Sequence, residues 1–441
     1  MAGLLQRLAG LRGQLAGPTS RRSVLAFADQ CVVSGTSLAT SVLIGRLAGE
    51  AALGIYTLGF SLTILVAVVQ DSLITVPYTF FRRRSAVDPA YAGGVLVGGA
   101  GLAGVAGVLV AAAGLVLSRT GAPGWLPATL VALGATIPLY LLRDWVRRYA
   151  FAHHRVWSVT AMDAAASAIL LVSLVALATT GRLTGSTAIL ALGVANGVPA
   201  AVWLLARRGV FDLAAARPRD VLARHWRFGR LDVAAQGIGV AQGYAAHWLL
   251  ALDGVPDSAG VLAACLTVTA VANPVILGVN NVFMARVADA QRERGPAEVW
   301  RVVRKTTVLF GVTMLPVAAV LILFGGRILA LVYGPGFAGH GAAVAVLAVG
   351  ALLWAGDATC VNGLRALDRP DVYLRAGLVG LVVVVGAAAV LIGLPAAGPP
   401  DERPAVLGAA SAIVLGALAE STVQWVGLLR ILRRSRVPSE G

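Results

Sequence analysis

Arginine alternates with long apolar stretches along this chain. About twelve apolar stretches, each near the roughly 20 residues that a helix needs to cross a bilayer, separate short segments that hold 36 lysines and arginines. If the segment before the first stretch is numbered as inside, only five basic residues fall outside: Arg46, Arg119, Arg182, Arg327 and Arg403. Cytoplasmic loops of membrane proteins retain Lys and Arg in this way. The pattern predicts a multi-pass protein of the cell membrane with both termini in the cytoplasm.

The composition agrees with a membrane location. Hydrophobic residues make up 58% of the chain and charged residues 13%, whereas an ordinary soluble domain has about 25% charged residues. The net charge of +15 is spread over the inner loops, so we expect it to attract anionic membrane lipids and not nucleic acid. Three cysteines, Cys31, Cys265 and Cys360, lie inside apolar stretches, where small buried hydrophobes are expected and neither a disulfide nor a metal site is predicted.

Twelve spans in two halves are predicted. The longest inner loop, 207–230, is basic and falls at the middle of the chain. The predicted organisation is a cytoplasmic amphipathic segment 1–22, an N-lobe 23–206 with spans 1–6, a basic linker 207–230, a C-lobe 231–430 with spans 7–12, and a cytoplasmic tail 431–441. The predicted spans are 24–45, 53–80, 91–117, 126–142, 157–180, 185–206, 232–251, 258–285, 305–324, 340–363, 374–395 and 404–429.

An internal repeat is indicated by a shift of about 206 residues. In this register Gln30 meets Gln236 and Gly54 meets Gly260, without a gap across two spans. Repeated halves are common in secondary transporters. The alternative is that two hydrophobic hairpins align by chance.

Ionisable and polar residues inside predicted spans are candidate site residues, because a charge at the centre of a helix costs about 2.5–3.5 kcal/mol on insertion scales. One interpretation is a hydrated path lined mainly by spans 1, 2, 7 and 8. The alternative is that polar groups join helices and small residues allow close packing. The predicted cavity residues are Gln30, Ser34, Ser37, Ser41, Arg46, Asp71, Gln236, His247, Asn273, Asn280, Asp357 and Arg365. Three further acids, Asp29, Asp163 and Glu420, are candidates for ion coupling.

Two of these assignments have competing explanations. Asp29 lies near the inner edge, where an ion pair with Arg21 or Arg22 explains it equally well. His247 on its own is typical of a buried histidine with satisfied hydrogen bonds.

Enzyme motifs are missing from the sequence. A phosphate-binding loop needs Gly-Lys, and the only lysine, Lys305, follows Arg304. The sequence has no His-Glu-x-x-His motif, no paired-cysteine zinc spacing and no Gly-x-Ser-x-Gly elbow. We therefore predict that the chain is not an enzyme and uses neither a cofactor nor a metal.

Two segments resemble a known family. The stretch Leu43–Leu58 contains Arg46, a Leu-Gly turn and the step to Tyr56, and Ile328–Phe337 contains the pair Tyr333-Gly334. Both are similar to segments of the polysaccharide-export branch of the multidrug/oligosaccharidyl-lipid/polysaccharide (MOP) exporter superfamily. With twelve spans and a basic midpoint linker, the resemblance covers nearly the whole chain.

The resemblance implies an all-α membrane protein with two pseudo-symmetric six-helix lobes around a central cavity. It implies transport by alternating access, with a polyprenyl-linked oligosaccharide as cargo. We expect a lipid-linked glycan and membrane lipids as partners, together with glycan-synthesis proteins. Basic residues such as Arg82–Arg84 and Arg286 are predicted to hold the pyrophosphate. The alternatives are a cation-coupled multidrug antiporter and a transport-inactive scaffold of a glycan-synthesis complex.

Overall fold

The computed structural model describes residues 18–82, 88–252, 256–272, 283–284, 286–287, 289–393 and 402–434. Within these ranges the secondary structure is helical and contains no strand. Residues 1–17 of the predicted amphipathic segment lie outside the described residues, as do the predicted cavity residues Asn273 and Asn280. The side chains of Arg21, Arg22 and Arg82, and all of Arg83 and Arg84, also lie outside them.

Twelve helices of the described chain are numbered in chain order. They are α1 Pro18–Gln70, α2 Val76–Arg82, α3 Pro89–Leu117, α4 Trp125–Ala152, α5 Val156–Thr179, α6 Gly185–Ala206, α7 Pro218–Leu250, α8 Asp257–Thr269, α9 Pro296–Tyr333, α10 Gly341–Ala366, α11 Pro370–Gly393 and α12 Glu402–Arg434. A π-helical turn, Asp71–Thr75, joins α1 to α2.

Nine helical segments of the described chain are long and apolar enough to cross a membrane, by length and composition. The first of them, Asp29–Phe81, has 53 residues, or about 80 Å at the helical rise, which is enough for two crossings. Gly49 interrupts its helical path with φ 84°, a conformation that glycine adopts readily. This break lies between the two spans predicted at 24–45 and 53–80. The prediction of an all-α polytopic protein is confirmed.

Several helices extend beyond the spans that hydropathy predicts. The inner loop predicted at 143–156 is helical for most of its length, because α4 continues to Ala152. Helix α9 begins at Pro296 and ends at Tyr333, well beyond the predicted span 305–324. Hydropathy places a boundary at the first charges, whereas a helix continues wherever those charges have partners or reach the interface.

Contacts between Cα atoms divide the chain into two compact units. The first unit contains the described residues up to Thr40 and Val66–Arg230, and the second contains Ser41–Leu65 and the described residues from Leu231 onward. The middle of α1 therefore packs with the second unit, and α7 contributes residues to both. The lobe boundaries that the sequence predicts stay predictions.

Close approach of helices in the first unit depends on glycine. A methyl group at Gly107 on α3 would lie 2.6 Å from the carbonyl oxygen of Gly134 on α4, and one at Gly134 would lie 2.7 Å from that of Gly107. A methyl group at Gly193 on α6 would lie 2.8 Å from the hydroxyl oxygen of Thr136 on α4, so these two helices also pack closely. In lipid, where hydrophobicity does not drive helices together, small residues of this kind allow tight packing.

The π-helical turn holds the start of α7. His225 is fully buried, and its Nδ1 donates to the carbonyl oxygen of Leu73 at 2.8 Å. Its Nε2 accepts from the hydroxyl of Tyr91 at 2.9 Å. A methyl at Gly229, one turn further on, would overlap the carbonyl oxygen of Ser72. Burial lowers the pKa of His225, which lies in the basic segment before the next predicted span, to about 4.

A reciprocal contact in the second unit matches the predicted repeat. A methyl group at Gly54 would overlap the carbonyl oxygen of Pro256, and one at Gly260 would overlap that of Glu50. Glu50 and Pro256 differ by 206 positions, as do Gly54 and Gly260. Two segments related by a two-fold axis make contacts of this mutual kind, so the contact supports the repeat.

Large apolar side chains cover the outer faces of several helices. Val108 on α3 is 68% exposed, and Leu323 on α9 is 72% exposed. Apolar surface that continues along whole helices is suited to acyl chains and unsuited to water. The exposed faces therefore agree with helices that stand in a bilayer.

Candidate functional site

Four charged side chains form a buried network in the first unit. Asp163 on α5 accepts from Arg143 and from Arg147, both on α4, at 2.7 Å in each case. Arg147 also donates to Asp29 of α1 at 2.8 Å. Asp163 is fully buried and Asp29 is 1% exposed. Two carboxylates therefore face two guanidinium groups, and the network carries no net charge.

The α4–α5 turn brings these groups together. Helix α4 ends at Ala152, and the chain reverses through His154, which adopts φ 57°. Arg143 and Arg147 are one helical turn apart, so both side chains project from the same face of α4 toward Asp163. Ser167, one turn beyond Asp163 on α5, accepts from Thr36 of α1 at 2.7 Å. The network thus ties together three helices of the first unit.

Pairing makes these buried charges tolerable. An isolated charge in a low-dielectric interior is strongly unfavourable, and removal of one partner from a buried pair costs about 3–5 kcal/mol. Arg143 and Arg147 retain 15% and 20% side-chain exposure. We interpret Asp29 and Asp163 as carboxylates whose charge is already compensated by the protein.

A more exposed arginine, Arg148, directly follows Arg147 of this network along α4. Arg148 Nη2 is 3.5 Å from Oδ1 of Asp71, the first residue of the π-helical turn, and Arg148 Nε is 3.8 Å from Asp144. Both distances exceed those of the buried pairs, and the Arg148 side chain is 44% exposed. Its guanidinium group can therefore exchange a carboxylate for another anion more readily than Arg143 or Arg147.

The polar face predicted on the first span is divided between the two units. Gln30 Nε2 donates to Ser34 Oγ at 3.2 Å, and Ser37 is exposed. Ser41 belongs to the second unit, where its hydroxyl lies 2.9 Å from that of Tyr333 and 3.3 Å from that of Thr267. The structure therefore does not bring these four residues into one site within either unit.

A second group of polar residues lies in the second unit. Glu420 on α12 accepts from Gln242 of α7 and from Gln424, each at 2.8 Å. Asp357 on α10 is 9% exposed and interacts with Ser421 and Trp425 of α12, close to Glu420. Among the described residues, neither carboxylate forms an ion pair with a basic side chain. The two predicted residues Asp357 and Glu420 are thus brought together.

The two segments that carry the family resemblance contact each other. Arg46 Nη1 donates to the carbonyl oxygens of Leu331 and Val332, at the end of α9, at 3.2 and 3.4 Å. The ring of Tyr333 occupies the space left open by Gly45, where a methyl would lie 2.6 Å from the ring. A cation near the last carbonyls of a helix stabilises that end. Arg46 therefore caps the C-terminal end of α9.

The remaining predicted site residues are dispersed. His247 is 2% exposed and packs on Tyr244. Gln236 donates to Asp232 at 3.0 Å, and the guanidinium of Arg365 lies 5.7 Å from the centre of the Tyr373 ring. Arg286, predicted to hold a pyrophosphate, is exposed. Within the described ranges, no three His, Cys, Asp or Glu side chains are grouped as a metal site requires.

Sequence reasoning missed Arg143, Arg147 and Arg148 as site residues because it placed them in a loop. The sequence nevertheless contains a pattern that indicates an ion pair, because Arg143 and Arg147 are spaced to share a helical face and Asp163 follows in the next span. Two opposite charges on consecutive spans indicate a pair more strongly than either does alone.

Comparisons with known proteins show the fold. No protein-family model and no curated protein sequence matches the chain. Among solved structures, it is similar to an inward-facing MATE-family multidrug resistance transporter of the MOP superfamily, with TM-score 0.65 and 17% identity over 94% of this chain and 96% of that one. An outward-facing MATE transporter gives TM-score 0.61 and 17% identity over 95% and 96%.

A third similar structure is a MOP-superfamily transporter from Pyrococcus furiosus, with TM-score 0.62 and 17% identity over 95% of this chain and 96% of that one. At this level of identity the likeness shows the fold, which is that of MATE transporters of the MOP superfamily.

Proposed function

We propose that this chain is a transporter of the cell membrane, with both termini in the cytoplasm, that moves an anionic lipid-linked saccharide. The cargo we propose is a polyprenyl-pyrophosphate-linked oligosaccharide or a related glycan precursor. Transport occurs by alternating access, in which the cargo site opens to one side of the membrane at a time. The fold shared with MATE transporters supports transport as the general activity.

The observation that favours an anionic cargo is the pairing of the first unit's buried carboxylates. Asp29 and Asp163 already have arginine partners, so they are poor sites for a cationic drug or for a coupling ion. Arg148 directly follows Arg147 on α4, and its side chain is more exposed. Arginine is well suited to phosphate because its donors match two phosphate oxygens at once.

A saccharide head group needs a protein to cross the membrane. Each buried hydroxyl without a hydrogen bond costs several kcal/mol in hydrocarbon. Polar side chains such as Gln30, Ser34 and Ser37 offer replacement partners in the first unit. The lipid tail remains in the bilayer during this movement, so the head group alone needs a polar route.

One similar structure offers a precedent for a different cargo. The Pyrococcus furiosus transporter is described as having a binding pocket of reverse polarity, which suggests a different function for that protein. A change of pocket charge within this fold is consistent with the arginines on α4 of the present chain.

The test is translocation of a fluorescent polyprenyl-pyrophosphate saccharide in liposomes that contain the purified chain. We expect Arg148→Gln to slow translocation about fivefold or more, since one arginine near an anionic group contributes about 1 kcal/mol. The matched control is Arg208→Gln, which removes an exposed arginine from the short 3-10 helix Arg208–Val210 of the same unit. Equal rates for wild type and Arg148→Gln would remove Arg148 from the mechanism, and no translocation by wild type would contradict the proposed cargo.

The second candidate is a cation-coupled multidrug antiporter, favoured by the second unit. Asp357 and Glu420 lie together, and within the described chain neither is paired with a basic side chain. Two adjacent acids of this kind can hold a proton or a cation. Drug efflux that depends on an ion gradient and is lost in Glu420→Gln would favour this candidate.

A further inference from the structure

A groove lies between the start of α11 and the end of α12, both in the second unit. Its volume is about 490 Å³, and the basic topology predicts that this end of the two helices faces the cytoplasm. Its wall is part charged and part apolar. The lining residues are Arg369, Asp371, Val372, Arg375, Thr422, Val423, Val426, Gly427, Arg430 and Ile431.

The groove has an excess of positive charge. Arg369 donates to both carboxylate oxygens of Asp371, at 2.9 and 3.0 Å, so this pair is internally neutral. Arg375 and Arg430 are both exposed, and within the described residues neither forms an ion pair. Three arginines against one aspartate leave two positive charges for a ligand.

Close packing of the two helices forms the floor of the groove. A methyl at Gly427 would overlap the side chain of Val372, so α11 and α12 approach each other closely there. Arg375 on α11 and Arg430 on α12 both line the groove at this close approach. The groove therefore offers a ligand one exposed guanidinium group from each helix.

An apolar track runs from each arginine along its helix toward the membrane interior. On α11, Val379 and Val382 follow Arg375 at helical spacing and are 41% and 70% exposed. On α12, Val426 and Leu415 precede Arg430 on the same side of the helix and are 38% and 44% exposed. A free phosphate ion would use only the arginines, whereas a lipid would use the arginines and both tracks.

We propose that this groove binds the head group of an anionic phospholipid from the cytoplasmic leaflet. The phosphate lies between Arg375 and Arg430, and the acyl chains lie along the two apolar tracks. Basic pockets between membrane helices at the cytoplasmic surface recognise anionic lipids through charge-assisted hydrogen bonds to phosphate. This site is separate from the first unit's arginines, and the proposal does not depend on the cargo.

The test measures thermal unfolding of the purified full chain in detergent with added lipid. We expect phosphatidylglycerol or cardiolipin to raise the unfolding temperature of wild type, because a ligand that binds the folded state stabilises it. We expect phosphatidylcholine, whose head group has no net charge, to produce a much smaller rise. The double variant Arg375→Gln/Arg430→Gln should weaken the apparent affinity for phosphatidylglycerol about tenfold or more.

The matched control is Arg219→Gln/Arg227→Gln, which removes two exposed arginines from α7. This control should respond to phosphatidylglycerol as wild type does. The proposal is overturned if phosphatidylcholine stabilises as strongly as phosphatidylglycerol, or if Arg375→Gln/Arg430→Gln keeps the wild-type affinity. Equal stabilisation by millimolar inorganic phosphate alone would also overturn it, because the site would then bind a free anion without lipid.

Discussion

At the scale of single residues, the chemistry of this protein depends on which buried charges have partners. Asp163 receives two arginine donors, whereas Glu420 receives only amide donors within the described chain. The sequence predicts both as ionisable groups at membrane depth. The partners distinguish them, because two guanidinium groups compensate the charge of Asp163, whereas the amide donors of Glu420 carry no charge.

The candidate site could be predicted only in part. Hydropathy and charge identify Asp29, Asp163, Asp357 and Glu420 as unusual, since each interrupts an apolar stretch. They do not identify Arg147 as the partner of Asp29, because 118 residues separate the two and only tertiary packing brings them to 2.8 Å. No local pattern in a single sequence reports a contact of that range.

His225 predicts a difference in stability at acid pH. Its pKa of about 4 in the folded chain lies below the ordinary value near 6.5, so the unfolded chain binds the proton more tightly. The free energy of unfolding of the wild type should fall by up to about 3 kcal/mol because of this group as the pH falls from 6.5 to 4. Above pH 6.5 the group should leave the free energy of unfolding unchanged. His225→Asn keeps a donor for the Leu73 carbonyl and should lose less over this interval.

Thermal unfolding in detergent at several pH values measures this difference. The control is His154→Asn, since His154 is exposed and its positive φ suits asparagine. That variant should follow the wild-type pH profile. If His225→Asn also follows the wild-type profile between pH 6.5 and 4, His225 is not the group responsible.

At the scale of helices, glycine positions determine which segments pack closely. Gly54 and Gly260 face each other across a contact that leaves no space for a methyl group on either side. A methyl group at Gly243 on α7 would have no neighbouring atom within 4 Å, so this position tolerates a larger residue. The same residue type therefore has a packing role at one position and none at another.

Gly260→Ala should destabilise the second unit. The new methyl would overlap the carbonyl oxygen of Glu50, so two backbones must separate, at a cost of about 1–3 kcal/mol for overpacking. The control Gly243→Ala should be neutral or slightly stabilising, because alanine favours helix more than glycine does. Thermal unfolding of both variants tests this, and equal stability of Gly260→Ala and wild type would show that the contact is not tight.

Helices were easier to predict than their ends. Long apolar runs and the alternation of arginine indicate twelve spans and the all-α class, because both follow from the solubility of side chains in lipid. The ends of α4 and α9 depend on tertiary partners and on long side chains that reach the interface, so hydropathy placed them too early or too late. The break in α1 at Gly49, where φ is 84°, falls between two spans that hydropathy already separates.

At the scale of the whole molecule, segments that are neighbours along the chain do not always pack in the same unit. The segment Ser41–Leu65 groups with the second unit although it lies near the start of the chain. The family resemblance seen in the sequence concerns this segment and Ile328–Phe337, and the two are in contact through Arg46 and Tyr333. The short motifs that suggest the superfamily are therefore features of packing, and they leave the cargo open.

The most direct measurement compares two fluorescent cargo lipids in the same wild-type proteoliposomes. Both carry the same saccharide and polyprenyl chain, but one is linked through pyrophosphate and the other through an uncharged linkage. We expect the pyrophosphate lipid to cross at least about tenfold faster, since arginine binds the phosphate and the uncharged lipid lacks that interaction. Equal rates for the two lipids, or faster movement of the uncharged one, would contradict an anionic cargo.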